Sequence, residues 1–144
     1  MKVGEFNNYL KERFGLVLPK GAQFSSDSGS AIRIYSTTLN SIKMDFGFKG
    51  FVAYSKKTGI SNEFIQIFGK YAQKNLVFLN EAEAKEFTSG KKINKKIFLK
   101  KGPVILKYLN HILGIATFDG KFLFPKLKEK RKREILNSIG QYAT

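Results

Sequence analysis

Apolar residues recur along this chain in two periods. Between positions 4 and 14, Phe6, Tyr9, Leu10 and Phe14 fall at i, i+3, i+4 and i+8, one face of an amphipathic helix. Gly15 follows, a residue suited to ending a helix. Pro19-Lys20-Gly21 and Ser25-Ser26-Asp27-Ser28-Gly29-Ser30 are rich in turn formers and read as a loop. Residues 31–36 alternate, with Ile32 and Ile34 on one side, the pattern of a strand. Ser36 or Thr37 can start a short helix over about 37–42.

From Met44 the period shortens to that of a strand. Phe46, Phe48, Val52 and Tyr54 are strand formers, and Gly47 and Gly50 mark a bulge or bend. Lys56-Lys57-Thr58-Gly59 reads as a loop, Phe64 to Phe68 as a strand ending at Gly69, and Leu76 to Leu79 as a further short apolar run. Asn80 with Glu83 three residues on is the signature of a capping box, so a helix is expected that carries Ala84 and Phe87 and stops at Gly90. Pro103 to Leu109 and Ile112 to Phe118 read as strands joined tightly at Asn110-His111. Asp119-Gly120 predicts a two-residue hairpin turn, because both residues tolerate positive φ, and Lys121 to Phe124 returns as a third strand. Residues 126–139 read as a basic helix with Leu127, Ile135, Leu136 and Ile139 as its expected apolar stripe. The sum is an α+β fold built on a mixed, mainly antiparallel β-barrel.

Composition adds a partner to this picture. The 144 residues are 42% hydrophobic and 14% aromatic, enough to bury a core. Lys and Arg number 26 against 11 Asp and Glu, a formal charge of +15. The excess is uneven: net +4 over residues 1–69 and net +11 over 70–144. One basic face is the natural reading, and polyanions are its natural partner, since every neutralised phosphate releases a counterion. No apolar run approaches the ~18 residues of a membrane span, and the start of the chain is too polar for a secretory signal. A soluble, cytoplasmic protein is expected.

Two stretches carry a family resemblance. One is Phe68-Gly69-Lys70-Tyr71-Ala72-Gln73-Lys74-Asn75 with the helix and Gly90 that follow; the other is Gly102-Pro103-Val104 to Tyr108, Leu113-Gly114, Asp119-Gly120 and Phe124-Pro125-Lys126. Together they resemble the PUA-like C-terminal domain of the Sun-type (nucleolar-protein and fmu) RNA cytosine-5 methyltransferases, whose archaeal relatives include stand-alone forms without the methyltransferase. The resemblance is clearest over 46–128. It implies a PUA-like mixed β-barrel with flanking helices over 46–128, preceded by a small N-terminal α/β subdomain over 1–45; the residues themselves add a basic C-terminal helix over 129–144. The dense charge of Lys128-Glu129-Lys130-Arg131-Lys132-Arg133 departs from the family pattern and stands as a private RNA-contact element.

Catalysis is not expected. Cytosine-5 methylation needs a thiolate to attack the base, and the chain has no cysteine. His111 is the sole histidine and falls in an expected turn. Glu81, Glu83 and Glu86 share one expected helix, where capping and solvation account for them, and the serine loop lacks a phosphate-loop pattern. No metal and no cofactor are expected.

Three basic clusters are the candidate RNA-binding residues. Lys70, Tyr71 and Lys74 lie beside Gly69, whose lack of a side chain allows close approach of a backbone. Tyr54 and Tyr71 are the candidate aromatics for base stacking beside a basic site. The doublets Lys91-Lys92, Lys95-Lys96 and Lys100-Lys101 flank Ile97 to Leu99 and serve either to protect a strand edge or to line an RNA groove. Lys126, Lys128, Lys130, Arg131 and Arg133 form the third. The expected function is recognition of structured rRNA or tRNA by a non-catalytic, monomeric protein in ribosome biogenesis or RNA modification. A resident ribosomal protein and an accessory subunit for a separately made RNA methyltransferase are the alternatives.

Overall fold

A computed structural model of the chain describes residues 1–27, 30–36 and 51–126. The short helix expected near 37–42, the strand formers Phe46 and Phe48, and the basic helix bearing Lys128, Lys130, Arg131 and Arg133 lie outside the described residues. The fold is α+β. It comprises two compact units, Met1–Lys74 and Asn75–Thr144.

In the first unit, helix α1 (Val3–Phe14) forms where the 3.6-residue period places Phe6, Leu10 and Phe14 on one buried face. It ends at Gly15, whose φ of 59° is the left-handed conformation that favours glycine. Strands β1 (Ala22–Asp27), β2 (Ala31–Ser36), β3 (Phe51–Ser55) and β4 (Gly59–Ile60) make an antiparallel sheet in chain order. Helix α2 (Asn62–Phe68) and a 3-10 turn (Gly69–Tyr71) follow. The core of this unit is aromatic. The Phe6 ring centroid lies 5.0 Å from that of Phe24 and 5.4 Å from that of Tyr54. Phe64 continues the cluster, 5.6 Å from Phe24 and 5.2 Å from Phe68. Such pairs add about 0.5–1.5 kcal/mol each beyond the area they bury.

Two expectations for this unit are corrected. Residues 22–27 are a strand, not a loop: Phe24 is buried opposite Ile34, while Ser25 and Ser26 are exposed. An edge strand with one wet face tolerates serine, so pairing overrides composition. Residues 64–68 are helical, not a strand. Ser61 caps α2 by accepting a hydrogen bond from the Phe64 amide at 3.2 Å, and Phe64, Ile65 and Phe68 are the buried set. A five-residue apolar run is too short for its period to separate helix from strand; the cap decides.

In the second unit, β5 (Leu76–Leu79) leads into α3 (Glu81–Thr88), which starts at the expected capping box of Asn80 and Glu83. Strands β6 (Ile93–Asn94), β7 (Gly102–Tyr108), β8 (His111–Phe118) and β9 (Phe122–Pro125) complete a curled five-stranded sheet in the order β5-β7-β8-β9-β6. β5 runs parallel to β7, and the other pairs are antiparallel. Ala84 and Phe87 of α3 join Val104, Leu106, Phe118 and Leu123 in one core. Full burial of a ring such as Phe87 contributes about 1.5–3 kcal/mol.

Two boundaries also move. β3 and β4 belong to the sheet of the first unit, so the units divide at Lys74 and Asn75 rather than at residue 45. The β8–β9 turn is shifted by one residue: Phe118 pairs with Leu123 and the Asp119 amide donates to the Phe122 carbonyl at 3.1 Å, so Gly120 and Lys121, not Asp119 and Gly120, form its tip. Asp119 shapes it: its carboxylate accepts hydrogen bonds from the amides of Lys121 at 2.9 Å and Phe122 at 2.7 Å, and Gly120 takes a φ of 105°.

Candidate nucleic-acid interface

Gly69, Lys70, Tyr71 and Lys74 come together at the end of α2. Gly69 is buried and right-handed helical, with φ −59°, so it does not offer the bare backbone approach expected of it. Lys70 and Lys74 are exposed. Tyr71 is 38% exposed, its ring 6.4 Å from Phe68 on the inner side and 5.3 Å from the Lys70 ammonium. The carbonyl of Phe14 accepts hydrogen bonds from the amides of Gln73 at 2.7 Å and Lys74 at 2.9 Å, which ties this segment to the end of α1. Tyr54 is half-buried and packs against Phe6.

In the second unit the lysines are organised by aromatic rings. Asn94 pairs with Phe122 and Thr117 with Phe124 across neighbouring strands. Leu123 between the two rings is buried in the core, so strand alternation sends Phe122 and Phe124 to the opposite face. The rings meet edge to face at 6.4 Å. The Lys92 ammonium lies 4.3 Å from the Phe122 centroid and the Lys121 ammonium 5.2 Å from it. The aliphatic chain of Lys101 lies beside Gly120, where a methyl group would sit 3.1 Å from its Cε. Lys92 and Lys101 thus converge on the β8–β9 turn together with Lys121. Lys91 and Lys100 are exposed.

The lysine-on-ring arrangement recurs. Lys107 is 5.3 Å from the ring of its cross-strand partner Phe78, which is 59% exposed. Lys96 is 5.8 Å from Phe98, which is 90% exposed. Phe98 is held outward because Ile97 and Leu99 on either side pack against the core.

The doublets therefore divide in role. Lys95 is bound to Glu83 at 2.8 Å, while Lys96 stands at the surface. Lys126 ends the described chain; its amide donates to the Ile115 carbonyl, and partial desolvation lowers its ammonium pKa from the usual lysine range. The Asp119 carboxyl is held below its ordinary pKa by the Phe122 and Lys121 amides, with Lys101 as a smaller contribution.

Phe122, Phe124, Lys121, Phe98 and the Phe78–Lys107 pair were missed from sequence. The signal was present in Phe122-Leu123-Phe124: once Leu123 is assigned to the core, both rings must face out. His111 begins β8 just past a turn at Leu109-Asn110, and its register partner is Tyr108. Among the described residues no group of three or more His, Asp or Glu side chains is gathered as a metal site would require. No helix of the described residues is long and apolar enough to cross a membrane. No protein-family model matches the chain, and no curated protein matches it at a significant level.

Proposed function

We propose that this protein is a non-catalytic RNA-binding protein that recognises structured rRNA or tRNA in ribosome biogenesis or RNA modification. The observation that carries the reading is the recurrence of surface aromatic rings accompanied by lysine ammonium groups: the exposed Phe78 with Lys107 and Phe98 with Lys96, and the half-buried Phe122 with Lys92 and Lys121. Cations neutralise phosphates while rings receive bases, and RNA presents both groups at its loops and bulges. An exposed ring costs free energy in water that binding recovers. The formal charge of +15 supports the same partner. The curled five-stranded sheet is compatible with the PUA-like barrel that the sequence resemblance implies.

Ultraviolet crosslinking in the native cells, followed by sequencing of the attached RNA, tests the proposal. Sharp crosslinks at one rRNA or tRNA site are expected, weakened by charge reversal of Lys70 and Lys74 or of Lys92 and Lys101. A diffuse or empty profile rejects it.

A further inference from the structure

We infer that the outer face of β9 is a platform that receives unpaired bases, so the second unit binds a single-stranded stretch of its RNA. The inference rests on the RNA-binding reading and adds the kind of segment bound and the residues that hold it. Phe124 is 42% exposed on a sheet face whose reverse side, at Leu123, is core. Its orientation is set by the edge-to-face contact with Phe122 at 6.4 Å and 61°. A ring fixed in this way presents a π-face to a base without first having to be ordered.

The surroundings fit a nucleotide better than another apolar surface. Thr117, the register partner of Phe124, is exposed and offers a hydroxyl. Asn94, the register partner of Phe122, is exposed and offers an amide able to donate to and accept from a base edge. Lys92 and Lys121 lie at Phe122 and Lys101 beside Gly120, so the aromatic pair is bordered by cations on the side of the β8–β9 turn. When a base approaches, an ammonium group resting on Phe122 can move to the phosphate of the same nucleotide, exchanging its place on the ring for an ion pair. An apolar protein surface would instead bury those ammonium groups without partners. A duplex offers phosphates but keeps its bases stacked away from the rings.

The test uses the full chain with two probes at low salt: a short oligouridylate containing one 2-aminopurine, and a blunt RNA duplex. Binding of the oligouridylate with a change in 2-aminopurine fluorescence is expected. Phe124→Leu and Phe122→Leu should each weaken that binding roughly tenfold and leave duplex binding unchanged. Phe124→Tyr should retain it, which separates loss of the ring from loss of the fold. Folded Leu variants that bind the oligouridylate like the parent would overturn the platform while leaving the RNA-binding reading intact. Failure of the parent chain to bind either RNA would overturn both. Retention of polyglutamate in place of RNA would reassign the face to an acidic protein and overturn the inference.

Discussion

Glu83 holds Lys95 at 2.8 Å through the same carboxylate oxygen that accepts the Asn80 amide at 3.0 Å. One oxygen therefore fixes both the start of α3 and the segment that follows β6. It also removes Lys95 from the set of lysines available to an anion, which its place in a basic doublet would not suggest. Glu83→Ala should destabilise the protein by about 1–2 kcal/mol, the combined effect of removing a capping partner and a partly buried ion pair. Chemical denaturation measures it; an unchanged midpoint would mean that neither interaction persists in solution.

Ser61→Ala addresses the helix that replaced an expected strand. Ser61 accepts the Phe64 amide at 3.2 Å, so its removal should cost about 1 kcal/mol and lower the amide-exchange protection of residues 62–68. A strand would leave Ser61 without a capping role and show no such localised effect.

Gly15→Ala tests the end of α1. The residue has φ 59°, and an added Cβ would sit 3.3 Å from Gln73 Cβ and 3.4 Å from Lys74 Cγ. Backbone strain and crowding act in the same direction, and a destabilisation of about 1–2 kcal/mol is expected in thermal or chemical unfolding.

The β8–β9 turn should be pH-dependent. The Asp119 carboxyl titrates below its unfolded value because the amides of Phe122 and Lys121 favour its charged form. The unfolded chain thus binds the proton more readily, so this contribution is present above the ordinary carboxylate pKa and disappears as pH falls through the lowered folded value. Acid titration followed by NMR should shift the Phe122 and Lys121 amides together below the usual carboxylate range. Asp119→Asn, which retains a side-chain carbonyl acceptor, should abolish that titration. A Phe122 amide that ignores pH would contradict the turn geometry.

RNA affinity should carry the signature of the two lysines beside Phe122. Lys92→Gln combined with Lys121→Gln should reduce the slope of log affinity against log salt by about 0.7 for each phosphate of single-stranded RNA that is no longer neutralised. Fluorescence anisotropy over a salt series reads this directly. An unchanged slope would assign phosphate neutralisation to other lysines.

What the sequence alone determined was local. The periodic face of α1, its Gly15 stop, the capping box at Asn80 and Glu83, and the paired strands β7 and β8 each depend on residues near one another in the chain. Their backbone preferences and side-chain caps act over a few residues, so the pattern is readable without knowing the partner. The tertiary structure decided matters of pairing and facing. Residues 22–27 became a strand because Ile34 lies opposite Phe24, and β5 found β7 across the intervening α3 and β6. The candidate site belongs to this second kind. Lys92, Lys101 and Lys121 are separated in sequence, and only the β6–β9 pairing and the Asp119 turn bring them to one end of a sheet. The charge excess was legible from composition. Which lysines stand beside exposed rings and which is tied to Glu83 depended on strand register, because a shift of one residue exchanges the core face for the solvent face.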